Sequence, residues 1–578
     1  RPPAERLVMP RLVPSQVAGL TAVAVIVALI GGIAWIAAPN TWDSMTYHLP
    51  RIMHWEQNQT LASYATHEPR QLYMSPWAEI AAAQFQILLG GDRFANLIQW
   101  FSMAGSLLAT WVLVGQLGGG TPARVLGVLA GVTIPMGLLQ AVSTQTDHVV
   151  AFYILATLVL LRDAARSDDR TSWWGAAAST GLAALTKATA YVFLAPFLAA
   201  FVGYVLWRRR RAAWGPLVAF GVIVLLVNLG HYSRNVRLYG SPLTPVGLGE
   251  YHEYANQSHS PATLISNVVR SAAVHLNPPA PRFVEASFEA IEHLHQWLEI
   301  DASDPRSTWA GMRFQPTPVR IHEDFSGNFF HGLLVLGVLA LAGFSGRLRR
   351  EHPALIAYAG MICLSFLLFA GYLKWAPWHA RLHLSLFWLW APALGVVWCW
   401  RSARLSVAIA LVLLAQAVPF VGANPLHPLW GTHSIFTTPR GHQLFLERPL
   451  LGEFTRGASR RIARSGCRAV GLSLPPDAWE YPLWVLLRQE IDGSSDAPPL
   501  RLESLEPTQA SRRFAAPGFR PCAVICLRCT PERRVRYEPT FGEPQVIASD
   551  DLLFSPYHML FLRPPSPDEA AAGATDGM

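Results

Sequence analysis

Asp43 stands in the string Thr41-Trp42-Asp43-Ser44-Met45-Thr46-Tyr47-His48-Leu49-Pro50-Arg51, just beyond an uncharged apolar run over residues 17–38. A carboxylate half withdrawn from water beside Trp42 and Tyr47 would have its pKa raised, which suits a general base that takes a proton from a hydroxyl. The same residue is also a fair cap for a following helix. Asp147, in Ser143-Thr144-Gln145-Thr146-Asp147-His148, opens another apolar run. It could bind an acceptor or hold a water, and it too could simply cap a helix.

Cations that could answer these acids are distinctive. Lys187 and Lys374 are the only lysines in a chain that otherwise uses arginine. Lys187 closes Gly181-Leu182-Ala183-Ala184-Leu185-Thr186-Lys187, where an ammonium in a partly dry site would bind a phosphodiester or else snorkel to headgroups. Lys374 opens Lys374-Trp375-Ala376-Pro377-Trp378-His379-Ala380-Arg381-Leu382-His383. Its cations, imidazoles and aromatics suit phosphate or a leaving group, or alternatively an aromatic belt with snorkelling cations. Arg234 and Arg237 are three residues apart, so on a helix they share a face and could address one anion.

Other chemistries find less support. Histidines 252, 259, 275, 293, 295 and 322 have no spacing that demands a metal, and His293 and His295 would diverge on a helix. We therefore expect no metal site and no cofactor. Glycine-rich phosphate loops, dinucleotide fingerprints and nucleophile elbows are missing from the sequence. Cys467, Cys522, Cys526 and Cys529 read as one or two disulfides, with a shared metal as the alternative; their connectivity stays open. Cys363 and Cys399 read as helix packing.

The elements that must position these residues are membrane helices. A chain of 578 residues that is 51% hydrophobic, 15% charged and carries 21 Trp is a polytopic membrane protein rather than a string of soluble domains. Further apolar runs fall at about 94–117, 125–142, 149–161, 173–185, 191–207, 217–229, 329–344, 355–373, 384–400 and 405–421, so about eleven spans are expected. The first run lacks a small-residue cleavage site and is expected to be retained. With the N-terminus inside, Arg6, Arg11, Arg124, Arg162, Arg166, Arg170, Arg208–Arg211, Arg347, Arg349, Arg350, Arg401 and Arg404 all face the cytoplasm. The formal charge of +8 is thus a topology signal, and no nucleic-acid partner is expected. That parity requires a helix break at Lys187.

On this topology the outer face receives segment 39–93, the loop near 143–147, the surroundings of Lys187, the long loop 231–327, the turn 374–383 and the whole C-terminus. Residues 45–57 and 76–89 are expected to be amphipathic helices lying along the membrane, with Trp55, Tyr73 and Trp77 at headgroup depth. A helix over 283–297 is expected in the long loop. Residues 1–423 form the membrane domain, and 424–564 form a small extracytoplasmic α/β domain with strands near 469–472 and 523–526 and a helix over 481–489. The tail 565–578 has a disordered composition.

The outer-face aspartate after the first helix, the interfacial helices behind it, Gly-x-Ala-x-x-Thr-Lys ending at Lys187 and Arg-Asn-x-x-x-x-Gly-Ser-Pro starting at Arg234 occur in a familiar order. Together, over about 17–421, they resemble the polytopic GT-C glycosyltransferases, particularly the family-39-like group of protein O-mannosyltransferases and the lipid A aminoarabinose transferase. The resemblance implies a GT-C-like fold and an inverting transfer of a sugar from a polyprenyl phosphate to an acceptor hydroxyl on a glycan, lipid or protein. Asp43 matches the family's first-loop aspartate and would take the acceptor proton. Lys187 matches the Thr-Lys lysine, and Arg234 matches the basic residue before the Gly-Ser/Asn-Pro turn, near donor phosphate. Many members place an acid directly after the aspartate. Here it is Ser44, so His48 or Arg51 would supply polar contacts instead.

The expected setting is the outer face of a bacterial cytoplasmic membrane, with membrane lipid as a further partner. A multispan transporter of a lipid or envelope precursor is the main rival, but transporters concentrate polar groups and broken helices near the midplane. In this chain the distinctive charges gather at helix ends. An envelope scaffold working through its C-terminal domain is a third reading.

Overall fold

Every apolar run expected from the sequence is helical in the computed structural model, which describes residues 12–167, 169–243, 245, 248–249, 253–277, 280–315, 320–491, 498–546 and 558–563. Arg6, Arg11, His252 and the tail 565–578 lie outside the described residues. Among those described, seven helical stretches are long and apolar enough to cross a membrane: Pro14–Ile36, Asp92–Gln116, Asp147–Arg166, Thr189–Tyr239, Pro353–Tyr372, Leu384–Arg401 and Ala403–Gly422. The stretch Thr189–Tyr239 is interrupted by a 3-10 turn at Arg210–Ala213. Two shorter apolar helices, Thr121–Val132 and Phe329–Phe344, accompany them. Eleven expected spans thus stand against seven that qualify by length and composition.

Large apolar side chains cover the outside of these helices: Leu29, Leu108, Val222, Leu226, Leu411 and Val418 are all exposed. Water would penalise such a surface, whereas lipid would not. The chain is a multipass membrane protein.

Small residues let the helices close on one another. A Cβ at Gly395 would lie 2.3 Å from the Ala123 carbonyl oxygen and 2.9 Å from the Gly127 nitrogen, so the helices Leu384–Arg401 and Thr121–Val132 touch backbone to backbone there. Asn228 Nδ2 donates to the Gly181 carbonyl at 3.0 Å, pinning Arg170–Thr186 to Trp214–Tyr239. Helix Arg170–Thr186 ends at Lys187, which is extended, and the next helix begins at Thr189. The break required at Lys187 is present.

Two expected elements differ. The run 125–142 is not one helix: Pro135 lacks an amide hydrogen and restricts Ile134 to extended geometry, so the helix stops at Val132 and a short helix, Pro135–Gln140, follows. The segment 45–57 is not one continuous α-helix. It opens with a π-helical turn, Ser44–His48, and continues as the helix Leu49–Asn58. Pro50 cannot donate to the Thr46 carbonyl, which accepts from Gln71 Nε2 at 3.0 Å instead. Trp55 is buried in a core shared with the C-terminal region, and Tyr73 is buried against Tyr239 with its hydroxyl 3.1 Å from that of Tyr254. Trp77 is half-buried and donates from Nε1 to the Tyr153 hydroxyl at 3.0 Å.

The C-terminal region holds a five-stranded sheet in the order β2-β1-β3-β5-β4, with β1 Ala469–Ser473, β2 Arg501–Ser504, β3 Ala523–Cys526, β4 Gln545–Val546 and β5 Met559–Leu562. Strand β1 runs parallel to β2 and β3, while β5 runs antiparallel to β3 and β4. Helix Tyr481–Ile491 packs against Pro449–Arg464 and against Leu49–Asn58. Disulfides join Cys467 to Cys522 and Cys526 to Cys529, which excludes the shared-metal alternative for these four cysteines. Cys363 and Cys399 are free and half-buried on their helices.

This region is fastened to the first loop by specific bonds. His54 Nε2 meets Glu480 Oε1 at 2.7 Å, and the Glu480 amide donates to the Met45 carbonyl at 3.0 Å. Gln57 bonds both backbone groups of Leu502, at 3.0 and 2.9 Å. Arg440 pairs with Asp92 at 2.6 Å. One apolar core runs through both, from Ala38 and Leu49 to Trp484 and Leu560.

Candidate active site

Two polar loops meet at the end of the bundle opposite the arginine clusters. Thr41 and Ser44 share a hydroxyl–hydroxyl hydrogen bond, and Thr144 Oγ1 donates to Ser44 Oγ at 2.6 Å. These hydroxyls tie the loop after the first helix to the loop before Asp147–Arg166. Neither acid caps its helix. The Asp43 side chain makes no capping hydrogen bond to the backbone of the turn that follows it. The amides of His148 and Val149 donate to Gln99 Oε1 at 2.8 and 3.2 Å, so the helix behind Asp147 is satisfied from a neighbouring helix.

Both carboxylates turn instead to cations. Arg381 Nη2 lies 2.8 Å from Asp43 Oδ2, and its Nη1 lies 2.8 Å from Asp324 Oδ1. Arg381 Nε stands 3.7 Å from Asp147 Oδ2, beyond hydrogen-bond reach. Lys187 Nζ meets Asp147 Oδ1 at 2.6 Å. The Tyr47 hydroxyl donates to Asp43 Oδ2 at 2.7 Å, and Arg70 Nη1 approaches Asp43 Oδ1 at 4.0 Å. Arg70 also bonds Glu68 at 2.9 Å, contacts Asp477 and lies over the Tyr47 ring, 4.7 Å from its centroid. The structure thus gathers Asp43, Asp147, Lys187 and Arg381 into one network and adds Tyr47, Arg70 and Asp324.

The electrostatics correct one expectation. Burial alone would raise the Asp43 carboxyl, but the Arg381 and Arg70 guanidiniums override it and hold Asp43 well below the usual carboxylate range. In this state Asp43 is a poor proton acceptor. Lys187 moves down, because its burial outweighs the nearby Asp147 carboxylate. Asp324 moves up through burial despite its pairing with Arg381.

Other expected substrate contacts are placed elsewhere. Arg51 is fully buried and spends its donors on Glu79 at 3.0 Å and on the carbonyls of Gln71, Arg70 and Met74 at 2.6, 2.7 and 3.0 Å. His48 Nδ1 meets the same Glu79 oxygen at 2.7 Å. These two residues brace the loop through the shared Glu79. Arg234 donates to the Leu61 carbonyl at 3.1 Å, and Arg237 is exposed. Among the described residues neither has an ion pair with the Asp43 network.

The turn 374–383 is also divided. Lys374 Nζ lies 3.7 Å from Glu253 Oε2. His383 Nδ1 lies 3.0 Å from His275 Nε2, and His379 packs against both His383 and Phe369. Burial pushes His379 down to about 3 and His383 well below the ordinary imidazole range, so this stack is neutral core. Of the turn, Arg381 alone reaches Asp43 among the described contacts.

Arg70 and Asp324 were missed by the sequence reading. Their local signals were slight: a buried acid two residues before Arg70, and the acidic pair Glu323-Asp324 in a loop rich in charge.

Charged groups thus collect at one end of an apolar helix bundle, with a sheet-bearing C-terminal region beside them. Residues 73–231 match the family model described as dolichyl-phosphate-mannose-protein mannosyltransferase, a segment that includes Asp147 and Lys187. The fold is similar to the crystal structure of ArnT from Cupriavidus metallidurans bound to undecaprenyl phosphate, with a TM-score of 0.53 at 14% identity over 95% of this chain and 98% of that one. The apo state of the same protein aligns with a TM-score of 0.48 at 14% identity, covering 94% and 97%. The apo oligosaccharyltransferase of Archaeoglobus fulgidus aligns with a TM-score of 0.47 at 13% identity, covering 88% of this chain and 69% of that one. No curated protein sequence matches the chain. The resemblance expected from the motifs holds for the family model and for the fold.

Proposed function

We propose that the protein is an inverting glycosyltransferase that moves a sugar from a polyprenyl-phosphate donor to an acceptor hydroxyl at the outer face of a bacterial cytoplasmic membrane. The observation that carries this reading is Arg381, shared by Asp43 and Asp324 beside the Lys187–Asp147 pair. A guanidinium and an ammonium held, among the described residues, by side-chain carboxylates alone can exchange them for a phosphate. The family-model match and the ArnT-like fold, solved in one case with a lipid phosphate, support the same chemistry.

In the proposed reaction the acceptor oxygen attacks the anomeric carbon. The carbon–oxygen bond to phosphate breaks, its electron pair stays on the departing phosphate, and the acceptor proton passes to Asp43. Attack opposite the leaving group inverts the configuration. Arg381 and Lys187 balance the charge left on phosphate. Donor binding draws Arg381 from Asp43, which removes the strongest charge holding the carboxyl down and makes the carboxylate a better base. Asp43 is thus held inert until the donor arrives. Replacing Asp43 with Asn should abolish sugar transfer from a polyprenyl-phosphate donor while insertion and folding persist; full transfer by that variant would remove the assigned base.

A further inference from the structure

A second polar cluster lies next to the Asp43 network and is not used by it. His322, Glu323 and Glu447 each offer one ligand atom, and these atoms all lie within 4.8 Å of one another. His322 Nδ1 is 3.4 Å from Glu323 Oε2, and His322 Nε2 is 3.7 Å from Glu447 Oε1. Glu323 is 3% exposed, and neither of its carboxylate oxygens has a hydrogen-bond partner among the described residues. A carboxylate so placed is costly unless a charge answers it. Its backbone is fixed nonetheless, since Gln140 Nε2 donates to the Glu323 carbonyl at 2.7 Å.

We infer that His322, Glu323 and Glu447 form a divalent-cation site joining the loop before Phe329–Phe344 to the C-terminal region. Bonds of about 2.1 Å in tetrahedral geometry place neighbouring donors about 3.4 Å apart, so three ligand atoms within 4.8 Å of one another need only small side-chain movements to close on one ion. One imidazole and two carboxylates, without thiolate, suit Zn2+ or Mn2+ and not a soft monovalent ion. Ligation runs through His322 Nδ1, which now accepts the Asp324 amide at 3.1 Å and would exchange that bond for the cation. Glu447 sits at the rim, between the short helix Arg440–Gln443 and Pro449–Arg464, where a cation can enter. Asp324, the partner of Arg381, directly follows Glu323. A bound cation would therefore set the loop that presents Asp324. This inference stands whether or not the chain transfers sugar.

The test uses the full-length protein in lipid nanodiscs, stripped with chelator and then titrated separately with Zn2+ and Mn2+. Bound metal is counted by mass spectrometry, and affinity is read by calorimetry. One equivalent of either cation per chain is expected, with binding weakened at least about 100-fold in both Glu323→Gln and Glu447→Ala. The cation should also raise the thermal midpoint of the parent protein and leave that of Glu447→Ala unmoved. Glu447 lies at the surface, so this variant folds even if the Glu323 change disturbs the loop. Absence of stoichiometric binding of both cations to the parent, or equal binding by the parent and Glu447→Ala, would overturn the site.

Discussion

Arg51 and Arg381 are both buried guanidiniums beside carboxylates, and they are built for opposite ends. Arg51 faces one carboxylate and three backbone carbonyls, so each of its three nitrogens is engaged and most of its partners are backbone groups that cannot leave. Arg381 faces Asp43, Asp324 and Asp147, all side chains, and its Nε has no hydrogen bond among the described residues. Carbonyl oxygens fix a guanidinium in place, whereas carboxylates can be displaced by a phosphate of equal or greater charge. The lesson is that burial and charge alone do not mark a binding arginine; the identity of its partners does.

Changes at the two sites should therefore break different properties. The largest effect is expected for Asp43→Asn, which removes the proton acceptor and should lower transfer by about 100-fold to 10,000-fold with an unchanged thermal midpoint. Arg51→Ala should instead act on folding. It leaves Glu79 buried without its cation and should cost about 3–5 kcal/mol in unfolding experiments. Arg381→Gln should lower turnover by about 100-fold to 1,000-fold, through lost charge stabilisation, in protein that elutes and melts like the parent. If Arg51→Ala left stability intact, or if Arg381→Gln unfolded the protein, the distinction between the two arginines would fail.

A smaller effect sharpens the contrast by pH. Glu480 anchors the C-terminal region through His54, and its folded-state pKa is lowered to about 2 from an ordinary 4.5; burial works against this shift and the His54 pairing drives it. A depressed carboxyl contributes stability that is complete above the unfolded value and lost as pH falls through the folded one. Hydrogen exchange at the Gln57–Leu502 junction should thus accelerate progressively between about pH 4.5 and about pH 2. Glu480→Gln should remove most of that dependence.

Much of the site was legible because membrane topology sorts charges coarsely. Apolar runs and arginine-rich turns located Asp43, Asp147, Lys187 and Arg381 at one end of the bundle, and the required break at Lys187 is where one helix stops. Side-chain partners were less legible, since they depend on contacts far apart in sequence. Arg51 and His48 were expected to face a ligand because the Glu79 that occupies them lies 28 and 31 residues away. Trp55 was expected at headgroup depth and is in fact buried, because nothing local announces that the C-terminal region covers it. Cysteine pairing followed the sheet: β1 and β3 lie side by side in parallel, which brings Cys467 and Cys522, each just before its strand, together.

The exchange of Arg381 from carboxylate to phosphate is the centre of the account, and it can be seen directly. Electron cryo-microscopy of the full-length protein in nanodiscs with a short-chain polyprenyl phosphate should show phosphate within hydrogen-bond reach of Arg381 and Lys187, with Arg381 drawn off Asp43. Phosphate seated away from both residues, with the Arg381–Asp43 pair intact, would contradict it.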